Sequence, residues 1–351
     1  MAKPQDAKII SNLIKEVYEG TYPYKEMENE VAVREMIESG KYIFILFMTK
    51  THEIIGSTTF AVDLERKKGN MRTWVVKKEY HGKFESTKSF IGCCIYVWSL
   101  FKDKIYIWYG EVRTAHAKTQ YILDLISLKA IGFYPNKDVF YDKIESDILQ
   151  VSYNKNALTK FRSKKMPKIL AEVEDLYLYV KDLYKLGSYK LKNPSICLDP
   201  KKIAQARKNL SHSVNIDKFG YSYIKIFLKN SKSYLRFLYT PTVQNFEKTE
   251  YKVQDLEELF VLVQEFIKWA KELDVRYYEI FVSAYKPRHQ KVFLDAGFLP
   301  RGYSPSWDYN KQNKCFEDRI LFNSYKGELD NEVILFKETK KFLKTLQFEF
   351  P

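Results

Sequence analysis

Glu111 and His116 stand at the end of an aromatic-rich strand, Ile105–Arg113, and are the residues here whose types fit proton transfer. A carboxylate can take a proton from an acceptor directly or through water, and an imidazole can relay it because histidine titrates near physiological pH. Each also has a plain reading: Glu111 pairs with Arg113 or a neighbouring lysine, and His116 caps the helix that follows. Asp63 and Glu65, at the end of an earlier strand, are further candidate bases or exposed loop charges. A different chemistry is open to His81–Thr87, where a strand gives way through Gly82 to a helix beginning at Phe84. A helix N-terminus carries unpaired amides and about half a positive charge, so it binds phosphate oxygens without side chains. Gly82 permits the tight turn that aims those amides.

Other chemistries find no footing. Nothing resembles a Ser-His-Asp triad, a Walker loop or a metal-ligand cluster, and Cys93, Cys94, Cys197 and Cys315 have neither CxxC nor zinc spacing. Cys93 and Cys94, adjacent within an apolar helix, read as small core residues. In the second half Tyr285 and His289 flank Pro287 at a helix start, while Tyr303, Trp307 and Tyr309 either line an acceptor pocket or pack between domains.

The elements that must hold these groups fit a two-domain chain. At 351 residues the polypeptide exceeds one typical core, and 45% apolar residues can build two. The net charge of +14 invites a nucleic-acid reading, but the basic residues are spread in short groups such as Lys67-Lys68 and Lys164-Lys165. They read as solvated faces, so nucleic acid stays open without being favoured; an anionic cofactor or acidic partner fits the same charge. The first residues lack the apolar run of a secretory signal, and Phe90–Phe101 falls far short of the roughly 20 residues that span a bilayer. The expectation is a cytoplasmic protein with no membrane partner.

Periodicity predicts helices at Asp6–Tyr18 and Glu30–Ser39, strands at Tyr42–Met48, Ile54–Asp63 and Asn70–Val76, and a helix at Phe84–Phe101. The strand at Ile105, a helix around Thr119–Ala130 and late strands near Phe133–Phe140 and Asp147–Tyr153 follow. A connector leads to a second series: helix Lys201–Leu210, strands Tyr221–Leu228 and Tyr234–Tyr239, a loop Thr240–Thr249, helix Val253–Leu273, strand Tyr277–Ser283, helix Pro287–Ala296, a strand near Asp318–Ser324 and a helix Lys337–Leu346. Gly132-Phe133-Tyr134-Pro135 and Gly297-Phe298-Leu299-Pro300 mark the two series as a repeat.

Val75-Val76-Lys77-Lys78-Glu79-Tyr80-His81-Gly82-Lys83, Glu111-Val112-Arg113-Thr114-Ala115-His116, Gly132-Phe133 and Phe293-Leu294-Asp295-Ala296-Gly297-Phe298 carry a family likeness. With the element order, the chain resembles the GNAT acyltransferase superfamily, once in each half. The resemblance implies an α/β (α+β mixed-sheet) class with two tandem GNAT-like folds, at 1–155 and 199–351, joined by a helical connector at 156–198. It implies acetyl-CoA or another acyl-CoA as cofactor, held in the first domain by Trp74, Val75, Val76, His81, Gly82, Lys83, Phe84, Ser86, Thr87 and Thr119. Glu111 and His116 would be catalytic, no metal would be needed, and the acceptor would be a small-molecule or peptide amine. In place of the family's phosphate loop stand His81, Phe84 and Ser86, with Gly82 the surviving glycine. The usual tyrosine four residues before Gly-Phe becomes Leu128 or Phe293, neither of which can protonate a thiolate. An aminoacyl-tRNA-using transferase and a non-catalytic binding protein are the alternatives.

Overall fold

The computed structural model describes every residue except Lys83, Asn331 and 349–351, and of Phe84 and Glu85 the backbone alone. The chain forms two compact units: Met1–Ala130 with Asp138–Lys160 and Glu332–Lys340, and Ile131–Lys137 with Phe161–Asn331 and Lys341–Pro351. Both are mixed α/β. Among the described residues no helix is long and apolar enough to cross a membrane.

Unit 1 begins with helices α1 (Ala7–Val17) and α2 (Glu30–Glu38). Ile10, Leu13, Ile14 and Val17 give α1 one buried face, and the Asn29 carboxamide accepts from Ala32 N to start α2. Strands β1 (Tyr42–Met48), β2 (Ile54–Asp63) and β3 (Lys68–Val76) form an antiparallel meander. Helix α3 (Phe84–Leu100) then crosses over to β4 (Ile107–Arg113), which runs parallel to β3. Helix α4 (Ala117–Leu125), β5 (Lys129–Phe140, whose Ile131–Lys137 belongs to unit 2), β6 (Lys143–Tyr153) and the short α5 (Lys155–Leu158) follow, with β6 antiparallel to β4. One face of this sheet packs Trp108, Val112, Val76 and Met71 against Phe90, Cys94 and Val97 of α3 and Ile122 and Leu123 of α4. The other face carries Val75, Phe44 and Phe140 against α1 and Met27. Burial pushes the Cys93 thiol up to about 11 and Cys94 higher still, as core cysteines require.

Unit 2 holds β7 (Lys168–Ile169), α6 (Glu174–Tyr184), β8 (Lys190–Leu191) and α7 (Pro200–Lys208). Four antiparallel strands come next: β9 (Leu210–Ile216), β10 (Ser222–Leu228), β11 (Tyr234–Thr240) and β12 (Asn245–Lys252). Helix α8 (Leu256–Glu272), capped by the Asp255 carboxylate, crosses to β13 (Tyr277–Ser283), parallel to β12. Helix α9 (Pro287–Asp295), β14 (Leu299–Asn310) and β15 (Cys315–Tyr325) complete the series, and α10 (Lys337–Lys344) closes the chain.

Several expectations need correcting. The helix expected to reach Ala130 stops at Leu125, where Ser127 adopts φ 69° and β5 begins at Lys129. Gly132 therefore lies within a strand, whereas Gly297 ends α9 at φ 88°. The two Gly-Phe-x-Pro tetrapeptides occupy different places. It is Ser127 that matches Gly297, and Gly132 faces Gly302 across β5 and β14. Thr240–Thr249, expected as a loop, contains most of β12, and Leu210, expected to end a helix, opens β9, whose other residues to Ile216 had no assignment.

Candidate functional site

The ladder joining β3 to β4 runs through Lys68↔Ile107, Gly69↔Trp108 and Asn70↔Tyr109 and then ends. Beyond it β3 stays bonded to β2 as far as Val76, and β4 stays bonded to β6 as far as Arg113. The facing edges therefore part toward their C-terminal ends. Packing contributes to the start of the split: the Trp108 ring lies over Gly69, where an added Cβ would sit 2.1 Å from it, and Trp98 stacks on Trp108. Parted parallel strands offer backbone N–H and C=O groups to an extended ligand as an added strand would.

The residues expected to surround a cofactor are distributed by strand alternation. Trp74 and Val76 face α3, where Trp74 stacks on Phe90 with ring centroids 4.1 Å apart, whereas Val75 is buried on the opposite face. Only the backbone of Trp74–Val76 is common to the cleft. The turn that follows is pinned: His81 Nε2 donates to Val76 O at 2.7 Å, and Lys77 Nζ and Tyr80 OH both donate to the Glu53 carboxylate at 3.0 Å. Those two bonds, Lys77's first, hold the Glu53 carboxyl below its ordinary range. Gly82 has φ 76° and would carry a Cβ into open space, with nothing within 4 Å. Lys83 lies outside the described residues, as does the side chain of Phe84. Ser86 and Thr87 sit inside the first turn of α3, so neither is the residue that caps it. Ser86 is buried and Thr87 half-buried.

On the other wall Glu111 and Arg113 project from β4 away from Val112, toward the face of Phe140. The guanidinium of Arg113 forms two bonds to Glu145, at 2.6 and 2.7 Å, and lies 4.1 Å from the Phe140 ring centroid. Arg113 is thus engaged with Glu145, the partner that sequence reading did not foresee. His116 takes the residue position before α4 without a side-chain capping bond. Desolvation first, and Arg113 second, hold its imidazole below the ordinary histidine value, which favours the neutral, proton-accepting form. Thr119 is half-buried in the first turn of α4. With Ser127 as the residue matching Gly297, the position four before it is the buried Leu123 rather than Leu128. It is again a residue that cannot donate a proton.

A polar group that the sequence did not announce stands on the Glu111 face. Tyr22 OH bonds Thr73 Oγ1 at 3.3 Å, Tyr24 OH donates to Asp138 at 3.2 Å, and Arg72 pairs with Glu26 at 3.2 Å. Arg72 is the extra residue of a bulge in β3 opposite Thr59–Phe60, which turns it out of the regular alternation. The signal was available only as tyrosines in a loop between two helices.

Unit 2 parts its strands in the same way. The β12–β13 ladder comprises Asn245↔Tyr277 and Phe246↔Tyr278, after which β12 runs on to Lys252 and β13 to Ser283. Here, however, the Tyr251 hydroxyl lies 3.1 Å from His289 Nδ1 in the first turn of α9, and its ring packs edge-on against Phe293. Burial pushes Tyr251 up to about 12 and His289 down to about 4. Tyr303, considered earlier as a pocket wall, is buried and donates to Asp318, which also holds Arg162. Trp307 stacks on Phe281, and Tyr309 packs tilted against Phe316. Among the described residues no group of His, Cys, Asp and Glu could hold a metal ion.

No family model and no curated protein matches the chain. Solved structures do. A ribosomal-protein-S5-alanine acetyltransferase from Vibrio fischeri is similar at 14% identity, covering 44% of this chain and 91% of its own, with a TM-score of 0.37. A spermidine N-acetyltransferase from Vibrio cholerae, solved in complex with CoA and spermine, is similar at 11% identity over 43% of this chain and 92% of its own, TM-score 0.37. Both of these proteins are acetyltransferases.

Proposed function

We propose that the chain is an acyl-CoA-dependent N-acyltransferase built from two tandem GNAT folds, with the cofactor bound in unit 1. The observation that carries this reading is the short β3–β4 ladder, with Gly82 and the start of α3 following the end of β3 after one short turn. The cleft would take the pantetheine arm along its backbone edges, and the helix N-terminus would take the phosphates. An added Cβ at Gly82 meets open space, while Val76 O already accepts one bond from His81 and keeps its second lone pair.

A thioester supplies an activated acyl group. The chain's own residues would do the rest. An alkyl amine is protonated at neutral pH, so Glu111, directly or through water, removes the proton that keeps its nitrogen from attacking. In this reading His116, whose imidazole burial keeps toward the neutral form, receives that proton. As the C–N bond forms, the C–S bond breaks; the nitrogen gives up its second proton to solvent and the thiolate takes one from solvent, because Leu123 has none to give.

The second fold is supported by the recurrence of element lengths. Helices α3 and α8 both have 17 residues, β4 and β13 have 7, α4 and α9 have 9, β5 and β14 have 12, and β6 and β15 have 11. In this reading unit 2 fills its own split with the Tyr251–His289 pair and binds no cofactor. Folds at 1–155 and 199–351, joined through 156–198, remain the proposed order along the chain. Isothermal titration with acetyl-CoA tests the proposal: one molecule bound per chain is expected, and binding weaker than about millimolar would end it.

A further inference from the structure

Gln120 and Gln290 hold equivalent places. Each is the fourth residue of its helix and fully buried, and each donates from Nε2 to the carbonyl of the last residue of the preceding strand, Arg113 at 3.3 Å or Ser283 at 3.0 Å. Each also grips an extended segment in the same register. In unit 1 Ile334 N donates to Thr114 O at 2.7 Å, Gln120 Nε2 donates to Ile334 O at 3.1 Å, and Gln120 Oε1 accepts from Phe336 N at 3.0 Å. In unit 2 Lys168 N donates to Ala284 O at 2.8 Å, Gln290 Nε2 donates to Lys168 O at 2.9 Å, and Gln290 Oε1 accepts from Leu170 N at 3.1 Å.

A side chain used twice in one geometry is not incidental packing. A buried carboxamide left without partners costs about 1–3 kcal/mol for each group, so both clamps hold their segments firmly. In unit 1 the clamp has an added consequence. Gln120 Nε2 also reaches His116 O at 3.4 Å, and Gln120 O accepts from Gln150 Nε2 at 3.1 Å. The turn Thr114–Ala117, which carries His116, is thereby tied to β4, to β6 and to the tail at once. Leu335 is buried beside it, and Phe336 packs on Tyr121.

We infer that the tail segment Glu332–Phe336 is a working part of the unit 1 site, with Gln120 as a positioning residue that sets the turn bearing His116 and the first turn of α4. The inference rests on unit 1 being the catalytic unit. In unit 2 the same clamp closes on Lys168–Leu170 and serves only the fold, which makes it the matched control.

The test compares Gln120→Leu and Ile334→Pro with Gln290→Leu in the full chain. Ile334 has an exposed side chain, so proline there removes chiefly the bond to Thr114 O and keeps the test alive if Gln120→Leu fails to fold. Two readouts need no activity: the NMR titration of His116 and amide exchange at Phe336 and Leu170. Gln120→Leu is expected to move the His116 midpoint up toward the ordinary histidine value and to speed exchange at Phe336 about tenfold. Gln290→Leu should speed exchange at Leu170 and leave His116 unmoved. Acyl transfer in Gln120→Leu should lose kcat by about tenfold or more with acetyl-CoA affinity retained. An unmoved His116 titration in folded Gln120→Leu and Ile334→Pro would overturn the inference. If neither parent nor variants bind acetyl-CoA while His116 still shifts, the acyl-transfer reading fails and the clamp stands.

Discussion

The hydroxyl of Tyr251 and Nδ1 of His289 lie 3.1 Å apart, joining β12 to the first turn of α9 where β12 and β13 part. The corresponding strand of unit 1 turns Trp74 onto α3 instead, stacked on Phe90. One unit ties its parting strand to the next helix through a phenol–imidazole pair, and the other turns the aromatic ring onto α3.

That pair makes stability depend on pH. His289 is held down to about 4 by burial first, then by Lys286 and Arg319, so the fold keeps it neutral while the unfolded chain takes a proton near 6.5. The unfolded state binds more protons between these values, so stability is full above about pH 6.5 and falls as pH drops toward 4. The loss attributable to this group is about 3 kcal/mol. Urea denaturation at pH 7 and pH 4.5 should show the parent losing much more stability than His289→Gln. Equal losses in the two chains would remove His289 as the source.

How far the sequence disclosed this arrangement depended on where each element gets its order. Tyr42–Met48, Ile54–Asp63 and Tyr277–Ser283 were legible to the residue, because apolar side chains bounded by turns leave one solution. Asn245–Thr249 reads as part of the loop Thr240–Thr249 because it is polar. It is a strand whose Glu247, buried, takes a bond from Thr240 Oγ1, a partner supplied by the neighbouring strand. The two Gly-Phe-x-Pro stretches do not hold the same place, because Ser127 takes the left-handed conformation that Gly297 takes after α9. In the candidate site Gly82 could be read from type and spacing. Glu145 and Gln120 could not, since their roles come from segments far away in the chain.

Gly302 tests that register. An added Cβ there would stand 2.7 Å from Ile131 O and 2.8 Å from Gly132 Cα, both backbone atoms with little room to give. Gly302→Ala is expected to cost about 2 kcal/mol or more, in the range of overpacked cores. Gly187→Ala, where nothing lies within 4 Å, should cost far less. A thermal melt that ranks the two the other way would show the Gly132–Gly302 contact to be wrong.

Glu111 carries the proposed proton abstraction, so replacing it should spare binding and slow turnover. Glu111→Gln is expected to lower kcat about a hundredfold on any amine the parent acylates, with acetyl-CoA affinity unchanged. A panel of primary amines assayed by thiol release measures the first, and calorimetry the second. Turnover equal to the parent's would assign the base elsewhere.

The last prediction concerns the turn before α3. Gly82 at φ 76° and Gly220 at φ 82° are both left-handed, and an added Cβ at either meets nothing within 4 Å. Alanine at each should therefore cost a similar backbone strain, about 1 kcal/mol, and lower the melting temperature by about a few degrees. Their effects on ligand binding should differ. The Gly82 methyl would enter the space that the opening amides of α3 need for phosphate oxygens, so acetyl-CoA affinity should fall about tenfold or more. Gly220 turns between β9 and β10, remote in sequence from any phosphate-binding helix start, and its alanine variant should bind as the parent does. If the two variants lose affinity equally, the loss reports general softening, and the phosphates are held somewhere other than the start of α3.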